Sequence, residues 1–168
     1  MQDSSEGTHV ESSLAGRIDG FLFALTRFGK DPDRYSASAQ LCQLPGNDIA
    51  AEYVDLLEKL NIEEPVPISI RDFSLQAGGF RFLEETFSAF LQQAMARPDG
   101  AERDLDAIGL ATWYIVEYIS WMSDPLGEIY SAKLSSDGHE SDHIFITCGE
   151  QFLVIRLSAR EEGKESTS

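Results

Sequence analysis

Cysteine is scarce in this chain: Cys42 and Cys148 are the two thiols in 168 residues. Two are too few to staple a fold of this size, so the composition asks for no oxidising compartment. The expectation is a reducing cytosol with both thiols free. Basic residues are short as well. Thirteen Lys and Arg stand against 29 Asp and Glu, a formal charge of −16. Such a field repels nucleic acid and anionic membrane, whose recognition rests on lysine and arginine. It speeds encounter with a basic partner instead. The acids are scattered rather than gathered into one long block, which suits a folded acidic surface better than an acidic tail.

Long apolar runs are also missing. The most apolar stretch, "AIGLATWYIVEYISWM", covers residues 107–122 and contains Glu117. A membrane span needs roughly 20 apolar residues, so a buried helix is expected there. The opening "MQDSSEGTHVESS" has neither the basic segment nor the apolar core of a secretory signal. The reading is a cytoplasmic protein with no membrane and no nucleic acid among its partners. No GxSxG, HExxH, paired CxxC, GxGxxG, P-loop or EF-hand pattern occurs, so no cofactor and no catalytic residue is predicted.

What the chain does have is apolar material. Hydrophobic residues make up 42% of it and ten are phenylalanine. A chain of this length buries roughly 70% of its unfolded surface as a single domain. Residues 13–160 are expected to form that domain, with loose, disordered segments at 1–12 and 161–168. A first helix is predicted over Ser13–Phe28, where Leu14, Ile18, Phe21, Leu22, Leu25 and Phe28 recur at three and four before Gly29. "KDPDRY" reads as a turn and "SASAQLCQL" as a short helix with Leu41 and Leu44 inward. Asn47 caps a helix over Asp48–Leu60. "EEPVPISIRDF" reads as an extended edge segment because of its prolines. Helices over Phe80–Ala96 and Glu102–Met122 follow. The first has Phe80, Leu83, Phe87, Phe90, Leu91 and Ala94 on its inner face. The second, apolar nearly all round, is expected in the middle of the domain.

The remainder reads as the strands "EIYSAKLS", "DHIFITC" and "QFLVIRLSA", the last two joined by a tight turn at Gly149–Glu150. The expected fold class is therefore α+β: about four helices packed on a C-terminal three-stranded antiparallel meander.

The stretch 135–160 is the richest in reactive side chains. Pairing across Gly149–Glu150 sets His143 opposite Arg156 and Ile146 opposite Leu153. Cys148 then falls on the apolar face and His143 on the other. Five residues apart, about 17 Å along a strand, they form no nucleophile–base pair, which requires roughly 3 Å. Asp137, His139, Glu140, Asp142 and His143 are metal-ligand types. They lie in a polar turn, however, whose Asp, Gly and Ser serve backbone needs. Glu117 has Trp113 and Trp121 four residues to either side and Tyr114 three before it. A carboxyl held among aromatic rings is one route to a general acid, but spacing fixes no second carboxylate near it. Gly78–Gly79 before a helix reads as a turn rather than an anion cradle, since Glu84 and Glu85 repel phosphate.

The strongest interaction feature is acidic. Asp48, Glu52, Asp55 and Glu58, spaced four, three and three, form a stripe on one helix side, continued by Glu63 and Glu64. These six are the predicted partner-binding residues, facing a basic protein. The functional expectation is an acidic cytoplasmic protein that neutralises a partner protein, in the manner of bacterial immunity proteins that inhibit a toxin or effector. A chaperone or adaptor for a secreted protein is the alternative, and would expose a large apolar groove. An enzyme with dispersed residues is the third, and would hold a perturbed acid such as Glu117 in a deep pocket.

Overall fold

In the computed structural model, the described residues are 4–29, 31–43, 69–73, 79–95, 105–122, 129–136, 138–148 and 151–160. Three helices lie among them, α1 (Ser4–Arg27), α2 (Gly79–Ala94) and α3 (Leu105–Met122). Five strands form one antiparallel sheet: β1 (Tyr35–Gln43), β2 (Ser69–Phe73), β3 (Ile129–Ser136), β4 (His139–Cys148) and β5 (Gln151–Arg160). The order across the sheet is β1-β5-β4-β3-β2. The α+β class stands, but the expectation of about four helices on three strands is corrected. The meander β3-β4-β5 is the centre of a wider sheet, flanked by two earlier strands. The expected helix over Asp48–Leu60 lies outside the described residues.

The strand β1 overturns the short helix expected from "SASAQLCQL". Its alanines favour helix in isolation. The pattern, however, has period two: Ser36, Ser38 and Gln40 are exposed while Ala37, Ala39 and Leu41 turn inward. Pairing of all nine β1 residues with β5, from Tyr35–Ala159 to Gln43–Gln151, decides in favour of strand. The small inward side chains let α1 come close. Asp19 Oδ1 of α1 accepts a hydrogen bond from Ala39 N at 2.8 Å. β1 is an edge strand, so this carboxylate occupies a backbone donor that a foreign strand would otherwise use.

The β4–β5 register matches the expectation residue for residue: His143 faces Arg156, Ile144 Ile155, Ile146 Leu153 and Cys148 Gln151. The β3–β4 connection differs. The strands expected from sequence leave "SDGHES" as a gap between them, whereas Ser136 already pairs with His139. Asp-Gly is a strong signal for a two-residue hairpin, and Gly138 takes φ 77°, which glycine adopts without strain. The turn residues Gly149 and Glu150 lie outside the described part.

One face of the sheet carries Ile129, Ile144, Ile146, Cys148, Leu153, Ile155 and Leu157 into a single core with the helices. From α1 come Leu14, Ile18 and Leu22; from α2, Leu83, Phe87 and Leu91; from α3, Ile108, Ile115 and Ile119. The α1 and α2 sets step by four and the α3 set by seven and four, all close to whole numbers of turns, so one stripe of each helix faces the sheet. Fully burying a side chain of this kind contributes about 1.5–3 kcal/mol. On the sheet's other face Phe145, Phe152 and Val154 are buried too, with the two phenylalanine rings 5.9 Å apart. Both faces of β4 and β5 are therefore covered, as their near-continuous apolar runs require.

Three boundary expectations are revised. α1 starts at Ser4, so residues 4–12 are helical rather than a loose terminal segment. Once a packed stripe has nucleated a helix, each further residue adds one hydrogen bond, and this segment has no proline to stop it. Phe28, expected on the inner face of α1, is 87% exposed, because the helix ends at Arg27. Phe80 is exposed at the start of α2, while Phe90 leans edge-on against Tyr35 of β1 at 6.1 Å. Gly29 is a close-approach residue: a Cβ there would collide with the backbone carbonyl of Ala94 at the end of α2.

Candidate functional site on the outer face of the helical layer

α3 was expected to be buried on all sides, and it is not. Its inner stripe is Ile108, Ala111, Thr112, Ile115, Val116, Ile119 and Met122. A second stripe, Leu110, Trp113, Tyr114, Glu117, Tyr118 and Trp121, repeats at the same three-and-four spacing on the far side. Leu110, Trp113, Tyr114 and Trp121 in this outer stripe are exposed, the two indoles at 51% and 57%. Apolarity all round a helix signals burial all round only if every face meets protein. Here one face meets the core and the other meets solvent.

The outer stripe is an ordered surface. Phe21 of α1 meets Tyr114 edge-on at 6.2 Å, Trp113 meets Tyr114 at 5.1 Å, and Tyr118 meets Trp121 at 5.4 Å. Tyr114 and Tyr118 stack at 6.4 Å. Such edge and offset pairs contribute about 0.5–1.5 kcal/mol each beyond their burial. Trp121 Nε1–H donates to Glu117 Oε1 at 3.1 Å, fixing one indole and one carboxylate together. Glu117 thus sits half-exposed in a surface stripe, not in the deep pocket that an acid catalyst among aromatic rings would need.

Beside this stripe, between α2 and α3, runs an open groove of about 530 Å³. Its α2 wall is Glu84, Glu85, Ser88, Ala89 and Gln92, and its α3 wall is Gly109, Thr112 and Trp113. Gly109 leaves room in it: a Cβ there would meet nothing within 4 Å. Gln92 Nε2 donates to Ser88 Oγ at 3.1 Å. Arg81 pairs with Glu85 at 2.7 Å on the exposed side of α2. Trp113 belongs to both features, at the rim of the groove and at the start of the aromatic stripe.

The residues singled out by sequence are dispersed. Asp48, Glu52, Asp55, Glu58, Glu63 and Glu64 all lie outside the described residues. Cys148 is buried in the core with its Sγ 3.6 Å from the Ile146 carbonyl oxygen. His143 is on the opposite face, 1% exposed. Burial first, and the Arg156 charge second, lower its pKa from the usual histidine range to about 4. His139 and Glu140 are exposed on β4, and Asp142 pairs with Lys133 of β3 at 3.5 Å. Among the described residues no three His, Cys, Asp or Glu side chains gather as a metal site. No described helix is long and apolar enough to cross a membrane. Gly79 opens α2, with Gly78 outside the described part.

The aromatic stripe was legible as residues but not as a surface. Trp113, Tyr114, Glu117 and Trp121 were placed on one helix face by spacing. Which way that face pointed depended on the partner of each side of α3, and spacing carries no such information. No protein-family model matches the chain, and no curated protein matches it.

Proposed function

We propose that this is an acidic binding protein that neutralises a basic partner protein, an immunity-type inhibitor of a bacterial toxin or effector acting in the cytoplasm. The observation that carries the reading is the exposure of Trp113, Tyr114 and Trp121 along one helix face, with Glu117 among them. Tryptophan and tyrosine dominate the energetics of protein interfaces when a partner desolvates them. Two indoles left in water on a packed helix have no role in the core already formed beneath them. The formal charge of −16 supplies the second half of the reading. Acidic fields steer cationic partners to the surface and suppress anionic ones. Asp48, Glu52, Asp55, Glu58, Glu63 and Glu64 contribute to that charge.

The test compares the full chain with the Trp113→Ala/Trp121→Ala variant as baits in extract of the source cell at low salt. The expected result is one stoichiometric basic protein on the wild-type bait, strongly depleted on the variant, whose own activity falls in the complex. Equal capture by the two baits, or a captured protein with undiminished activity, refutes the reading. Recovery of many partly folded clients instead of one would favour a chaperone.

A further inference from the structure

The groove between α2 and α3 combines three features. One is a carboxylate wall, Glu84 and Glu85, facing an indole, Trp113. Glu85 already holds Arg81 at an exposed pair, an interaction of little net strength that a competing cation can displace. Glu84 makes no ion pair among the described residues. The second is space: Gly109 removes a side chain at the point where α3 lines the groove, and nothing fills the gap within 4 Å of where a Cβ would stand. The third is Thr112. It lines the groove at 5% exposure, and its buried hydroxyl has no hydrogen-bond partner among the described residues. A buried hydroxyl without a partner is unfavourable, and a ligand donor reaching it would recover that loss.

We propose that this groove receives an arginine side chain of the basic partner, an assignment that rests on the docking reading above. The chemistry selects a guanidinium. It is planar and stacks on an indole face while its in-plane N–H groups reach carboxylates. Its five donors match acceptors placed around it, here Glu84, Glu85, Thr112 and Gln92. An ammonium is a compact point charge that serves one of these contacts at a time. The position is also apt. Trp113 joins the groove to the exposed aromatic stripe, so a partner seated on Trp121 and Tyr114 carries one side chain down into the groove.

The experiment titrates the isotopically labelled full chain with N-acetyl-arginine amide and, in parallel, with its neutral isostere N-acetyl-citrulline amide. The two tryptophans have separate indole N–H signals, assigned by Trp121→Phe. The expected result is a saturable shift of the Trp113 signal with arginine and none with citrulline. Glu84→Gln should weaken arginine binding by about tenfold, the share of one charge-assisted hydrogen bond. Gly109→Leu should abolish it by filling the groove. Because the Cβ at 109 meets open space and leucine favours helix, that variant should melt no lower than wild type. Equal shifts with both probes, or an undiminished arginine shift in Gly109→Leu, overturn the proposal. The two readings separate cleanly. If a partner is captured through Trp113 and Trp121 but binds Gly109→Leu unchanged, the arginine groove falls and the docking surface stands. If the groove takes arginine yet bait capture ignores both indoles, the groove stands and the docking reading falls.

Discussion

His143 makes stability depend on pH in a way that can be worked through. It lies on β4, 1% exposed, opposite Arg156 of β5, whose Nε donates to Ser158 Oγ at 3.0 Å. Burial and the neighbouring guanidinium hold its pKa at about 4, against 6.5 for an unhindered imidazole. The folded protein therefore keeps His143 neutral where the unfolded chain takes a proton. Stability from this site is fully present above pH 6.5, is lost as pH falls through the interval, and stops changing below about pH 4. At 1.36 kcal/mol per pKa unit the complete loss is about 3 kcal/mol, and about 2 kcal/mol is gone by pH 5. The assay is urea unfolding of wild type and His143→Gln from pH 7.5 to 4.5. Carboxylates titrate in both proteins and cancel in the difference. The wild-type curve should fall relative to the variant by about 2 kcal/mol between pH 7.5 and 5. Parallel curves would refute the argument, because they would mean that His143 is protonated alike in both states. Arg156→Gln should narrow the gap without closing it, since burial is the larger cause.

Other outcomes follow from single contacts. Asp19→Ala removes the acceptor for Ala39 N and should cost about 1.5–3 kcal/mol, read by thermal or urea unfolding. It should also raise the tendency to aggregate, because it uncovers a donor on the edge strand β1. Gly29→Ala should destabilise by about 1–3 kcal/mol, since its Cβ meets the Ala94 carbonyl. Gly109→Ala should instead stabilise by about 0.8–1 kcal/mol in the same assay, because it adds helix propensity in open space. Cys148 should resist a thiol reagent until the protein unfolds, whereas Cys42, half-buried on edge strand β1, should label first. Rapid native labelling of Cys148 would contradict its place in the core.

Features that depend on neighbours along the chain were legible from residue order alone. The β4–β5 register followed from a two-residue gap and strict alternation, because a slip of one residue would turn Ile144, Ile146, Leu153 and Ile155 away from the core. The same alternation separated Cys148 from His143 and excluded a dyad. Spacing of four put Leu83, Phe87 and Leu91 inside and grouped Trp113, Glu117 and Trp121 on one face.

Features that depend on partners distant in sequence were not. β1 is a strand because β5, over a hundred residues later, supplies its hydrogen bonds, which outweigh the helix preference of its alanines. β2 adds to β3 in the same way, so β1 and β2 together widen a three-stranded meander to five. α3 shows the point most plainly. Its composition is compatible with burial on every side, and periodicity marks two apolar stripes without ranking them. Only the packing of α1, α2 and the sheet against Ile115 and Ile119 leaves Trp113 and Trp121 in water, and with them the surface and groove on which the proposed function rests.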